Sequence, residues 1–191
     1  MSKVVFPNKK YQIIYADPPW SYKDTQKSGG TSYFGACVRY DLMDNESIMS
    51  LPVREISDSD SVLFLWAVSP LLPEAIKTIS AWGFQYKTVA FCWSKITSLH
   101  HRVSNMGRWT MGNVELCLLG VKGKPRRVLD NIKQYVEAIR YEHSRKPDEV
   151  RNRIVELMGD LPRIELFARK PQYLLEDPTW NGWDVWGNEN E

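Results

Sequence analysis

The sequence predicts an α/β fold of three layers, a mostly parallel sheet with helices on both faces, and three observations carry that prediction. Five short apolar runs, "YQIIYA" (11–16), "SVLFLW" (61–66), "KTVAFCW" (87–93), "VELCLLGV" (114–121) and "RIELFA" (163–168), are nearly continuous rather than alternating. Strands covered on both faces read this way. Amphipathic stretches fall between several of these runs, and strands interleaved with helices favour a parallel sheet. At 191 residues the chain suits one full-sized domain spanning 1–191. In such a sheet, ligands bind beyond the carboxyl ends of the strands.

Each helix has its own signals. Leu72, Ala75, Ile76, Ile79 and Trp82 keep helical spacing until Gly83, and Val150, Ile154, Leu157 and Met158 do so between Pro147 and Gly159. A shorter helix is expected from Asp44 to Leu51. Two stretches fit neither pattern: "KDTQKSGGTSYFGACVRY" (23–40) and "SKITSLHHRVSNMGRWTMGN" (94–113) are long, polar, glycine-bearing and dotted with aromatics. Loops of that length in one domain are functional or disordered. Both are candidates for gripping a substrate.

Composition narrows the function classes. With 43% hydrophobic and 25% charged residues, the chain is neither disordered nor low in complexity. Its formal charge of +2 does not announce a nucleic-acid binder, so any basic surface must be local, as in "GVKGKPRRV" (120–128). Cys37, Cys92 and Cys117 are far apart, with no CxxC pair and no histidine at ligand spacing. Neither a disulfide framework nor a metal site is expected. "MSKVVFPNKK" lacks the apolar core of a signal peptide and no apolar run reaches membrane-spanning length. A cytoplasmic protein with no membrane partner is expected.

The motif that carries chemistry follows the first strand: "YADPPWSYKD" (15–24). Proline fixes its own backbone, lacks a donor and pushes the preceding residue into extended geometry, so Asp17-Pro18-Pro19 is stiff and non-helical. Its carboxylate is expected at the carboxyl edge of the sheet, with the proline carbonyls as unpaired acceptors. Acceptors in a row suit an amino group. Asp17 would accept one hydrogen of an exocyclic amine and the Pro18 carbonyl the other, while Trp20 stacks on the ring that bears it. An ionised carboxylate would stabilise the charge that develops on nitrogen as it attacks an electrophile. The alternative is a surface turn, with Asp17 capping a neighbour and Trp20 packed in the core.

These residues resemble the S-adenosylmethionine-dependent N6-adenine methyltransferases of the DPPW class. The resemblance continues in order through "YFGACVRYDLM" (33–43), "GRWTMGNVELCLLGVKGKPRR" (107–127), "YEHSRKPDEVRNRI" (141–154), "RIELFAR" (163–169) and "GWDVWGNE" (182–189). It implies a Rossmann-like methyltransferase fold with S-adenosylmethionine as cofactor. It also implies a clamp of Asp17, Pro18, Pro19 and Trp20, with Tyr40 beside the target base. His143, Ser144 and Lys146 would lie at the methionine end of the cofactor, where Asp17 also stands, and Lys146 would pair the carboxylate as a compact cation. Glu165 would flank the cofactor, and Asn188 and Glu189 would hold its adenosine portion. No GxGxxG turn is present, "ELFARK" stands where other methyltransferases carry a glycine-rich loop, and only 16 residues precede Asp17.

Adenine's amino group is paired and stacked within a duplex, so the base must be single-stranded or flipped out. Cations and stacking groups are therefore expected around the mouth. His100, His101, Arg102, Arg108 and Trp109 offer both, and Lys122, Lys124, Arg126 and Arg127 offer phosphate contacts. His100 and His101 have no nearby cysteine or acidic partner that would make them metal ligands. DNA is expected ahead of RNA by analogy with small bacterial and phage relatives, and self-association is open. The competing readings are a catalytically inactive nucleic-acid-binding partner, an RNA adenosine methyltransferase, and an enzyme acting on cytosine N4 or glutamine.

Overall fold

The computed structural model describes residues 5–21, 42–104, 109–140, 145–168 and 178–187. Its centre is one seven-stranded sheet in the order β5-β3-β4-β2-β1-β6-β7. The strands are β1 (Tyr11–Ala16), β2 (Ser57–Ala67), β3 (Gln85–Ile96), β4 (Val114–Lys122), β5 (Tyr135–Ile139), β6 (Arg163–Leu166) and β7 (Trp183–Trp186). All five expected strands form. β6 stops at Leu166 rather than Ala168, because Phe167 turns to a left-handed φ of 63° and its N–H donates to the Trp186 carbonyl at 2.6 Å. β5 and β7 were not expected.

The sheet is mixed. β1 is parallel to β2 and β6, β6 to β7, and β3 to β5, whereas β4 runs antiparallel to both β2 and β3. The reason lies in the connections. A parallel neighbour needs a crossover, but 97–113 contains no helix among its described residues, so the chain returns antiparallel. β5 is reached from β4 in the same way.

Both faces are covered, which is why the strand sequences are nearly continuous in apolar residues. On one face Ile14, Ala16, Leu63 and Leu65 pack against Ile48 of α1 (Asn45–Met49), Val53 of α2 (Val53–Ile56) and Ala75 and Ile79 of α3 (Leu72–Ala81). On the other, Ile13, Tyr15, Phe64 and Trp66 pack against Val150 and Ile154 of α4 (Asp148–Met158). The stops are local. α3 ends at Gly83 (φ 86°) and α4 at Gly159 (φ 88°), left-handed positions that glycine takes without a Cβ penalty. Asp44 caps α1 by accepting from the Ser47 N–H at 2.8 Å.

Because β4 alone is reversed, one edge of the sheet gathers the carboxyl ends of the other six strands with the amino end of β4. Asp17 leaves β1 at that edge.

Candidate active site

The turn after β1 is held from three sides. The Trp20 N–H donates to the Pro18 carbonyl at 2.8 Å, and the Met43 N–H to the Pro19 carbonyl at 3.1 Å. The Trp20 indole N–H reaches the Trp66 carbonyl at 3.0 Å. Two expectations change. The proline carbonyls are not unpaired acceptors, since each already takes a backbone N–H and keeps only its second lone pair. Trp20 is 8% exposed within the core on the α3 face, so it braces the turn from behind instead of standing as an open stacking wall.

Asp17 is paired with Lys146, whose ammonium lies 2.6 Å from Oδ2. Lys146 comes from the segment before α4, and its side chain is only 7% exposed. Its ammonium is also 3.4 Å from Glu115 Oε2 of β4 and 5.5 Å from the Trp66 ring centroid. The other Glu115 oxygen, Oε1, accepts from Lys95 of β3. Four charges of alternating sign thus stand in a row at the reacting edge.

Their protonation follows from burial and neighbours. Burial pushes the Asp17 carboxyl above its ordinary range, and Lys146 offsets only part of that. Burial also works against an ionised Glu115, but Lys146 and Lys95 together outweigh it and hold that carboxyl below the usual range. Burial disfavours the Lys146 ammonium, yet Asp17 and Glu115 raise it overall, so the lysine stays charged.

Glu165 is close by but engaged. Arg151 of α4 grips it with two hydrogen bonds, Nε to Oε2 at 2.5 Å and Nη2 to Oε1 at 3.0 Å. The Arg151 guanidinium also lies over the Trp180 ring at 3.8 Å and bonds Asp148 at 2.5 Å. Glu165 therefore ties α4 to β6 beneath the edge.

The basic run is not where it was expected. Lys122 ends β4 and Lys124, Arg126 and Arg127 follow it, and the reversal of β4 carries its carboxyl end to the edge opposite Asp17. There the Lys122 ammonium donates to Ser57 at the start of β2, and the Lys124 N–H to Asp60 at 2.6 Å. These four cations do not ring the mouth. Trp109 does stand on the loop between β3 and β4, and at 97% exposure it is the conspicuous exception among otherwise buried described tryptophans. Arg102 on the same loop is likewise exposed and lies 3.9 Å from Glu137. Tyr40, Arg108, His143, Ser144, Asn188 and Glu189 lie outside the described residues.

Sequence reasoning missed Glu115, Lys95 and Arg151. A signal existed for two of them. Glu115 is the one charge inside "VELCLLGV", and Arg151 sits at helical spacing with Ile154 and Met158 on the buried face of α4. Buried charges are paired. Among the described residues no group of three or more histidine, cysteine or acidic side chains is arranged to hold a metal ion. No helix of the described residues is long and apolar enough to cross a membrane.

Residues 11–189 match the MT-A70 family. The chain is 36% identical over 198 residues to the type II methyltransferase M.MunI of a Mycoplasma species, covering 96% of this chain and 79% of that protein. It is 26% identical over 174 residues to the human N(6)-adenosine-methyltransferase catalytic subunit METTL3, covering 90% of this chain but 27% of that protein. An N(6)-adenosine-methyltransferase MT-A70-like protein of Arabidopsis thaliana is 26% identical over 161 residues, 83% of this chain and 22% of its own length.

Proposed function

The chain belongs to the MT-A70 family, and on that premise we propose that it transfers a methyl group from S-adenosylmethionine to the N6 amino group of adenine in DNA. The observation that carries the reading is the Asp17–Lys146 ion pair, 2.6 Å apart at the edge where the DPPW turn leaves β1. A carboxylate beside an ammonium is complementary to the ammonium and carboxylate of an amino acid, the end by which S-adenosylmethionine is held. The residues present therefore fit that group, with Lys146 toward its carboxylate and Asp17 toward its ammonium. When bound, it supplies an electrophilic methyl on a sulfonium.

The rest of the work falls to the chain. Lys146 occupies Asp17 Oδ2, so an amino hydrogen of the target base goes to Oδ1. The second lone pair of the Pro18 carbonyl takes the other hydrogen. With both hydrogens held, the amino nitrogen directs its lone pair outward, and the ionised Asp17 stabilises the positive charge that grows there. That carboxylate then accepts the proton which the methylated nitrogen sheds. Trp20, Trp66 and Met43 keep the turn from shifting. Orientation of this kind is a large part of what a site without an activated nucleophile contributes. The exposed Trp109 is suited to stack on a neighbouring base once the target base has left its stack.

Preference for DNA rests on the likeness to a bacterial type II methyltransferase at 36% identity against 26% for the human adenosine methyltransferase subunit. The test incubates the protein with S-adenosylmethionine and, separately, duplex DNA, single-stranded DNA and RNA, then digests each to nucleosides for mass spectrometry. N6-methyladenine in the DNA pools is the expected result. Asp17→Asn should lower the rate at least about 100-fold while leaving the fold intact. Product in RNA alone would move the assignment to RNA, and no product in any pool from a protein that binds nucleic acid would leave a binding partner.

A further inference from the structure

Behind the Asp17–Lys146 pair stands a second ion pair, Lys95 with Glu115, that the reaction as proposed does not use. Its geometry is specific. Lys146 Nζ is 2.6 Å from Asp17 Oδ2 and 3.4 Å from Glu115 Oε2, so one cation is contested by two carboxylates, and Asp17 has the shorter contact. Lys95 takes the remaining Glu115 oxygen, Oε1. The side chains of Lys146, Lys95, Glu115 and Asp17 are 7%, 14%, 22% and 30% exposed, so solvent screens the row only in part.

Lys95 is itself well seated. Its ammonium lies 5.0 Å from the Trp93 ring centroid, and its backbone donates to the Asn113 carbonyl and accepts from the Val103 N–H. The charges of Asp17, Lys146, Glu115 and Lys95 sum to zero. Remove Lys95 and the remaining three sum to one negative charge in a part-buried site, and Glu115 then draws Lys146 away from Asp17. Protonating a carboxylate relieves the imbalance, and Asp17 is the one whose neighbours do not outweigh the cost of its burial, whereas the two lysines hold Glu115 below its ordinary range.

We propose that Lys95 is a positioning residue for methyl transfer: by neutralising Glu115 it leaves Lys146 committed to Asp17 and keeps that carboxylate ionised and aimed at the target amino group. The role in methyl transfer rests on the function proposed above. The other groups facing Asp17 leave the balance with these four residues. Cys117 of β4 and Tyr15 of β1 are buried and held well above their ordinary titration ranges, so they stay neutral. Glu165 of β6 is closed on Arg151 of α4, and Asp148, which Arg151 also pairs, is balanced by Arg145.

The experiment reads Asp17 directly. Protein labelled at the aspartate carboxyl carbons is titrated by carbon NMR, with Asp17→Asn identifying the resonance, in the wild type and in Lys95→Met, Lys95→Arg, Glu115→Gln and the Lys95→Met/Glu115→Gln pair. In Lys95→Met the Asp17 midpoint should rise by roughly half to one pH unit. Lys95→Arg should restore it, and so should the double variant, because losing Glu115 removes the surplus negative charge. Glu115→Gln alone should lower it, which keeps the test decisive if Lys95→Met folds poorly. A midpoint that Lys95→Met leaves unmoved, or that stays raised in the double variant, would overturn the proposal. In the same order, the acid limb of kcat/KM on an adenine-containing oligonucleotide should shift with the midpoint, since that limb reports the free enzyme. A wild type that methylates, with an acid limb that ignores the midpoint, overturns the positioning role alone. Midpoints that move as expected in a protein with no methyl transfer overturn the reaction and leave the charge relation standing.

Discussion

Replacing Arg151 by methionine would leave the Glu165 carboxylate buried with no counter-charge while keeping an apolar stem of similar length against Trp180. In the wild type the two side chains are 4% and 7% exposed and joined by two hydrogen bonds. Losing one partner of such a pair costs about 3–5 kcal/mol, since the charge left behind is desolvated. For a chain of this size that corresponds to a fall in Tm of roughly 6–20 °C. The sign of the pH dependence follows. Burial already raises the Glu165 carboxyl despite Arg151, and without the guanidinium it rises further. A carboxyl whose folded pKa lies above its unfolded value destabilises the fold when ionised, so the loss is full near neutral pH and shrinks as pH falls toward the ordinary glutamate range. Urea unfolding followed by tryptophan fluorescence, near neutrality and at about pH 5, measures both. Adding Glu165→Leu should recover most of the deficit, because a buried pair can be replaced by apolar residues at little cost. A loss under about 1 kcal/mol, or one of equal size at both pH values, would refute the pairing as a structural tie.

Two further outcomes test the map of the site. Trp109→Ala should weaken binding of a short single-stranded oligonucleotide by about 5- to 150-fold, the worth of one base stacked on an aromatic ring, with stability changed by less than about 0.5 kcal/mol. Fluorescence anisotropy checks it, and unchanged affinity would remove Trp109 from the substrate path. Arg126→Gln with Arg127→Gln should leave kcat/KM on a short oligonucleotide within about twofold of the wild type, because both follow β4 to the far edge. A steep loss would show that the nucleic acid wraps around to that edge.

The fold was legible where burial is two-sided. β1, β2 and β4 announce themselves because consecutive apolar residues in each pack on alternate layers, and α3 and α4 because glycines stop them. β5 and β7 were not legible. They are the two edge strands, and in "YVEAI" Val136 alone is fully buried, so no run of apolar residues marks the first of them. Asp17 was found because two prolines after a strand are conspicuous, and Lys146 because an ordered motif precedes Pro147. The rest depended on strand direction, which is a property of non-local pairing. Nothing in residues 114–127 says that β4 runs backward, yet that reversal brings Glu115 to Asp17 and carries Arg126 and Arg127 away. Trp20 illustrates a different limit, since an indole beside a turn reads equally as a stacking wall or a brace until its burial is known.

The hairpin formed by β3 and β4 has a consequence for how such a protein diversifies. Both ends of its loop are pinned by strand pairing at Ser94 and Val114, and the Ile96–Arg102 bridge closes it again just beyond. Past Lys95 and Ile96, which still pair with β5, the sheet draws little on what lies nearer the tip, around Trp109. Doubling the length of a flexible loop anchored this way costs only about 0.6 kcal/mol in closure entropy. A new recognition element spliced in near Trp109 would arrive at the reacting edge without touching a core residue, and lineages that need a different target sequence have a place to acquire it without refolding anything.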